Sequence, residues 1–209
     1  MLFRVGLHSR STYASPMNPI AHEPPARCNA TQRRCIVATA HALGVPHDYG
    51  RSRGLLLVRE PERLTAIGLD VHGRMQWLVP RAAAAWKRMH ATARDEGIVL
   101  EVVSAFRSAE YQLGILRRKL ERGLTIEEIL RVSAAPGYSE HHSGRVLDLT
   151  TPGYEPLEEV FEQSAAFAWL EHNAAAFGFH LSYPRGNPHG IAYEPWHWCW
   201  HPRRRNQRP

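Results

Sequence analysis

The chain has 209 residues, of which 44% are hydrophobic, with 15 glycines and 15 prolines. This composition is typical of one globular domain that mixes helices and strands, and it excludes a low-complexity or fibrous chain. The formal net charge of +6 favours anionic partners in general. The basic residues are spread out and form no recognisable nucleic-acid-reading element, so a specific nucleic-acid binder is the least favoured class. No apolar run approaches the roughly 18 residues of a membrane span, so none is predicted.

The two ends of the chain differ from its middle. Residues 1–30 are polar and rich in proline, and we expect a poorly ordered extension there. Residues 202–209 carry four arginines and are expected to form a basic tail. Residues 31–201 are left as the folded domain.

Location and redox state are only weakly indicated. The first residues lack the continuous apolar segment of a secretory signal. We therefore expect a cytoplasmic protein or one released by lysis, with a periplasmic location as the alternative. Cys28, Cys35 and Cys199 are an odd number of cysteines, and a Cys28–Cys35 disulfide would require export, so their role stays open. The sequence does not indicate the oligomeric state.

Hydrophobic periodicity and turn residues predict helices alternating with short strands. A helix over 31–43 is followed by three predicted strands, at 55–58, 64–69 and 75–79. Pro80 opens a helix that runs to about Glu96. The clearest strand pattern, residues 98–103, ends shortly before Arg107.

Later in the chain, Ser108 is a predicted helix N-cap, and Thr125 with Glu128 forms a predicted capping box. The remaining elements are predicted as helices at 108–120, 125–132 and 164–177 and strands at 145–150, 179–183 and 192–198. This order predicts an α+β domain with a central, mostly antiparallel sheet flanked by helices.

Two separated clusters hold the parts of a catalytic zinc site: Ser139–Asp148 and Glu194–His197. Two imidazoles and one carboxylate can hold Zn²⁺ tetrahedrally and leave the fourth position to water. We therefore assign His141, Asp148 and His197 as the ligands of one zinc ion. A further carboxylate beside the last ligand can accept a proton from that water, and we assign this role to Glu194.

Local geometry must bring these residues together. Gly144 would let the chain turn tightly between His141 and the strand that carries Asp148. Glu194 and His197 are three residues apart, so a regular strand would place them on opposite faces. Because a proline separates them, we expect a turn or bulge that points both side chains into one cavity.

The candidate residues also have interpretations that do not involve this metal site. With 13 histidines in the chain, a single histidine is weak evidence for a metal site. Asp148 could instead cap a turn. A rival ligand set, His197, Cys199 and His201, would share one strand face, but it leaves His141 unexplained.

The motif Ser-x-His-x-x-Gly-x-x-x-Asp followed by Glu-Pro-Trp-His resembles the VanY-like zinc D-alanyl-D-alanine carboxypeptidases, relatives of the Hedgehog/DD-peptidase fold. The likeness includes Ser104–Ser108 with the following Gln112, the Pro-Gly-Tyr-Ser approach to His141, and the helix and strand before the last motif. The chain departs from the family pattern after the last motif. The family sequence there is commonly aromatic-Arg-Tyr, whereas this chain has Trp198-Cys199-Trp200.

The resemblance implies a Hedgehog/DD-peptidase-like fold and the same zinc ligands, with Glu194 as general base and later proton donor. Arg107 would contact the scissile carbonyl or the terminal carboxylate, which a guanidinium can bind bidentately. Gln112 and Ser139 would line the substrate pocket, and Trp196 is expected to form its wall. The implied substrate is a peptidoglycan stem peptide or its precursor, with release of a terminal D-alanine.

Two alternatives stay open. One is a peptidoglycan endopeptidase of the phage-lysin kind. The other is a non-catalytic, zinc-containing cell-wall-binding module, against which Glu194 argues because a structural zinc site needs no base. The sequence does not distinguish D,D- from L,D-specificity.

Overall fold

The computed structural model describes residues 24–202, so the predictions for 1–23 and 203–209 lie outside the described residues. The helices are α1 Ala30–Ala42, α2 Tyr49–Ser52, α3 Pro80–Asp95, α4 Ala109–Glu121, α5 Ile126–Arg131 and α6 Ala165–Phe177. The strands are β1 Thr65–Leu69, β2 Met75–Leu78, β3 Glu101–Ser104, β4 Val146–Thr150, β5 Phe179–Leu181 and β6 His197–Trp200. Two 3₁₀ helices, Glu140–Ser143 and Glu159–Gln163, complete the described elements.

The central sheet has the strand order β3-β4-β6-β5, and every neighbouring pair is antiparallel. A separate hairpin pairs β1 with β2. The predicted α+β class with an antiparallel sheet and flanking helices is therefore confirmed. Helix starts follow the sequence signals: Ser108 and Ser164 cap α4 and α6, and Thr125 with Glu128 forms the capping box of α5.

Two groups of buried apolar side chains hold the domain together. The larger group joins α3 and α6 to the sheet and includes Met89, Leu147, Leu149, Leu170 and Phe179. The smaller group joins α1, α4 and α5 and includes Ile36, Leu113, Leu116, Ile129 and Leu130. Over residues 24–202, no helix combines the length and apolarity needed to cross a bilayer.

Three strand predictions need correction. Residues 55–58 form no strand, because this apolar run finds no partner strand and Leu56 is 85% exposed. The strand predicted at 98–103 begins only at Glu101, since its partner β4 ends opposite that residue at Thr150. The strand predicted at 192–198 begins at His197, because a turn around Pro195 precedes it. Helix α2 and both 3₁₀ helices were not predicted.

Candidate metal centre and substrate cavity

Sheet register brings Asp148 and His197 together. Asp148 on β4 lies directly opposite His197 on β6, and Ser104 of β3 faces Asp148 from the other side across an irregularity in the register. Oδ1 of Asp148 lies 3.1 Å from Nδ1 of His197. Two residues far apart in sequence are thus held by backbone pairing rather than by a flexible loop.

The predicted turn places Glu194 beside His197. The His197 N–H donates to the Glu194 carbonyl at 3.1 Å, which closes a turn across Pro195. As a result, Oε2 of Glu194 lies 3.4 Å from Nδ1 of His197. Both side chains therefore face the same side, as the spacing and the proline predict.

His141 lies in the 3₁₀ helix Glu140–Ser143, which Gly144 caps at its C-terminal end. Gly144 has φ +64°, a left-handed conformation that glycine adopts without strain. A Cβ there would also lie 3.1 Å from Leu64 and 3.2 Å from Pro61 and Val79. The tight turn at Gly144 lets the chain reverse into β4, so that His141 and Asp148 converge.

The His141 imidazole has one satisfied and one unsatisfied nitrogen. Nδ1 lies 2.6 Å from the Ala105 carbonyl, which can only accept, so Nδ1 carries the proton. Nε2 is buried and forms no hydrogen bond, although it lies 3.2 Å from Oδ2 of Asp148. A buried lone pair facing a carboxylate is unfavourable unless a cation lies between them.

The donor set fits a metal ion. His141, Asp148 and His197 are all buried, and each offers a ligand atom within 4.8 Å of the others. Two imidazoles and a carboxylate suit zinc, and the orphaned Nε2 of His141 would gain a partner. Within residues 24–202, the alternative ligands His197, Cys199 and His201 do not form a group of this kind.

The ionisation of these groups is set by burial and by their mutual contacts. Burial, with Arg107 nearby, lowers the pKa of His141 to about 4, so its imidazole is neutral near pH 7. Burial alone would raise the pKa of Asp148, but His141 and His197 hold it well below its ordinary range. Burial would lower the pKa of His197, but hydrogen bonds with Asp148 and Glu140 raise it to about 10. A metal ion would therefore displace a proton from His197.

Glu140 is a functional candidate that the sequence analysis missed. Its Oε2 lies 3.0 Å from Nε2 of His197. Burial raises the pKa of Glu140, but the bond from His197 outweighs it and lowers the value to about 2. Because the Glu140 carboxylate accepts a hydrogen bond from Nε2–H of His197, Nδ1 is left as the ligand nitrogen. The available signal was an acidic residue immediately before the first histidine ligand.

A chain of hydrogen bonds orients His141 through Nδ1, the nitrogen that does not face Asp148. Oδ2 of Asp70 accepts from Nε2 of Gln76 at 2.8 Å, and Oε1 of Gln76 accepts from the Ala105 N–H at 2.9 Å. Ala105 in turn accepts from Nδ1 of His141. The β1–β2 hairpin is thereby connected to a candidate metal ligand.

His142 has a structural role. Its Nδ1 lies 2.6 Å from the Arg107 carbonyl, and its Nε2 accepts the Gly137 N–H at 3.1 Å. These two partners require the neutral tautomer with the proton on Nδ1. His142 therefore ties the loop carrying Arg107 to the segment before the first ligand and is not free to bind a metal.

A cavity of about 490 Å³ opens beside the candidate metal centre. The predicted residues found in its lining are Arg107, Gln112, Ser139, Asp148, Glu194 and Trp196. A terminal nitrogen of Arg107 lies 3.8 Å from Oδ2 of Asp148. The structure thus brings the predicted site residues together, while their individual roles stay predictions.

Glu194 has the environment of a proton acceptor. Burial raises its pKa to about 7, with His197 opposing and Asp148 adding to the shift. A carboxyl with such a pKa can take up and release a proton near neutral pH. Tyr183 and Lys119 also line the cavity and were not predicted. Lys119 follows Gln112 by seven residues, a helical spacing that could have indicated it.

A family model described as VanY, D-alanyl-D-alanine carboxypeptidase, matches residues 75–203. The chain belongs to the VanY family. Putative carboxypeptidase YodJ of Bacillus subtilis (strain 168) is 35% identical over 128 residues, which cover 58% of this VanY-family chain and 45% of YodJ. The chain thus matches less than half the length of that relative.

Solved structures support the fold. The LdcB LD-carboxypeptidase, solved to show its peptidoglycan recognition, has a TM-score of 0.61 and 30% identity, over 68% of this chain and 69% of LdcB. The vancomycin-resistance D,D-pentapeptidase VanY from a VanB-type cassette, solved as a mutant with Zn(II), has a TM-score of 0.54 and 24% identity. That match covers 71% of this chain and 87% of the other. The expected fold is therefore shared with VanY-family peptidases.

Proposed function

We propose that this VanY-family chain is a zinc carboxypeptidase that removes the terminal D-alanine from a peptidoglycan stem peptide or its precursor. The observation that carries the proposal is the convergence of His141, Asp148 and His197 beside a cavity whose lining includes Asp148 and Glu194. A purely structural zinc site would be closed by four protein ligands and would not need a base.

The residues divide the chemistry between them. His141 through Nε2, Asp148 through a carboxylate oxygen and His197 through Nδ1 would hold the zinc ion. When bound, zinc supplies a Lewis acid that polarises a carbonyl and lowers the pKa of water. Glu194, with a pKa of about 7, accepts the proton of the attacking water and later donates it to the leaving amine.

Arg107 stabilises the negative charge that develops on the scissile carbonyl oxygen. Its guanidinium lines the cavity near Asp148, and its Nε is buried without a hydrogen-bond partner. Such a preorganised donor typically contributes about 10²–10³ in rate. Trp196 forms part of the wall and limits access of bulk water.

Defined muropeptides test the proposal. Zinc-loaded protein is incubated with a pentapeptide ending in D-alanyl-D-alanine, a tetrapeptide ending in one D-alanine, and a cross-linked dimer, and the products are weighed by mass spectrometry. We expect release of free D-alanine from the pentapeptide. Cleavage of the tetrapeptide alone would assign L,D-specificity, and cleavage of the cross-link alone would assign an endopeptidase. Binding without any cleavage would contradict an enzymatic role.

A further inference from the structure

Helix α4 presents a second cation to the cavity. Gln112, Ile115 and Lys119 lie on one face of this helix and line the same cavity as Arg107. The Lys119 side chain is half-buried, and its ammonium forms no ion pair or hydrogen bond with the residues between 24 and 202. An unpaired ammonium in a cavity that is partly removed from water lacks a counter-charge.

The surroundings of Lys119 favour an incoming anion. Burial lowers the pKa of Lys119, and the positive charge of Arg107 lowers it further, while Glu194 opposes both. Lys119 therefore lies within electrostatic range of two residues of the proposed catalytic site. An anion placed beside Lys119 would relieve the repulsion from Arg107.

Gln112 supplies an independent sign that a ligand belongs on this helix face. Its Nε2 donates to Oγ of Ser133 at 2.9 Å and to the Ala134 carbonyl at 3.0 Å, which fixes the orientation of the amide. The remaining amide oxygen, Oε1, can only accept a hydrogen bond. It has no partner, and Gln112 as a whole is only 2% exposed. An unsatisfied buried acceptor in a cavity wall calls for a donor from a bound molecule.

We propose that Lys119 is the cation of a substrate-carboxylate subsite, about two turns of α4 from Gln112, whose Oε1 accepts a substrate N–H. The inference rests on the proposed function and deepens it: the C-terminal carboxylate of the peptide binds Lys119. Arg107 is then left to the scissile carbonyl oxygen. A compact ammonium suits a single carboxylate that needs no bidentate fork.

The test compares Lys119→Gln with Lys87→Gln, which removes the chain's other lysine from an exposed position of α3. Both are made in zinc-loaded protein that also carries Glu194→Gln, so that binding is measured by calorimetry without turnover. The probes are pentapeptides ending in D-alanyl-D-alanine as the free acid or the C-terminal amide. Each is prepared with lysine or with diaminopimelate, which has an extra carboxylate, as the third residue.

We expect Lys119→Gln to weaken binding of the free acid by at least about tenfold, the size of one lost charge-assisted contact. The amide should bind the parent weakly and lose nothing further in the variant. Sensitivity to the diaminopimelate carboxylate instead would overturn the assignment of the C-terminal carboxylate to Lys119.

Equal effects of Lys119→Gln and Lys87→Gln on every probe would overturn the subsite. The proposed function fails separately. If the protein with Glu194 intact releases no D-alanine, while Lys119→Gln still weakens binding of the acid, the subsite stands and the carboxypeptidase activity does not.

Discussion

Glu140 and His197 form a 3.0 Å contact between a carboxylate oxygen and Nε2, on the side of the imidazole opposite the candidate metal ligands. The contact directs Nδ1 of His197 toward Asp148. It also compensates the positive charge that His197 carries when no metal is bound. Glu140 is therefore a positioning residue for the third ligand.

Replacing Glu140 with glutamine should weaken zinc binding by about 10- to 100-fold, the usual effect of removing a carboxylate behind a ligand histidine. The amide retains a hydrogen-bond acceptor but loses the charge. Competition with a chromogenic chelator measures the affinity. Glu62→Gln, at an exposed ion pair with Arg59, is the matched control. Equal zinc affinity in both variants would mean that Glu140 does not position His197.

Gln76→Ala should loosen His141 without touching it. The substitution leaves the buried Ala105 N–H without its acceptor, which typically costs about 1–3 kcal/mol of stability. Because the Ala105 carbonyl orients His141, zinc affinity should fall as well. Urea unfolding and chelator competition measure the two effects. The exposed Gln163→Ala should change neither; a Gln76 variant that behaves in the same way would contradict the proposed support.

Asp70→Asn should lower stability near neutral pH, and the difference from wild type should shrink in acid. Burial alone would raise the pKa of Asp70, but the N–H groups of Arg74 and His72 and the Arg74 side chain hold it below its ordinary value. The stabilisation is therefore fully present above about pH 4, the pKa of an aspartate in the unfolded chain. It is lost as the pH falls through the lower pKa that Asp70 has in the folded protein. Urea unfolding of both proteins over a pH series checks this; a pH-independent difference would be inconsistent with it.

Alanine at His141, Asp148 or His197 should each greatly reduce the zinc content, because two remaining ligands do not hold the ion through dialysis. Metal analysis of the dialysed proteins measures it, with circular dichroism to confirm folding. His172→Ala, at an exposed position of α6, is the histidine control. Full zinc occupancy in all three ligand variants would move the metal site elsewhere.

Glu194→Gln separates a base from a ligand. Glutamine keeps the size of the side chain but cannot take up a proton near neutral pH. We expect unchanged zinc content and folding, with hydrolysis reduced by at least the roughly 10²–10⁴ that general acid–base catalysis provides. D-Alanine release and zinc content are measured on the same preparations. Loss of zinc together with activity would instead make Glu194 a ligand.

Local signals in the sequence were sufficient for several features. Ser108, Thr125 and Ser164 mark helix starts correctly, because a capping side chain satisfies backbone N–H groups within its own turn. Gly144 and Pro195 mark the two turns of the site, since each restricts or extends the local backbone conformation. Candidate ligands could therefore be named from motifs alone.

Strand limits and supporting contacts depend on distant residues. Leu55–Val58 has a strand composition but no partner, and Glu101 begins a strand only because Thr150 lies opposite it. The contact between Glu140 and His197 likewise joins segments that are far apart in sequence. The same is true of the cavity that Lys119 lines. Residue types and short spacings determine which chemistry this chain can perform, because turns, caps and ligand preferences are local. Only the tertiary structure decides which side chains support that chemistry, because strand pairing and burial depend on partners that no local pattern specifies.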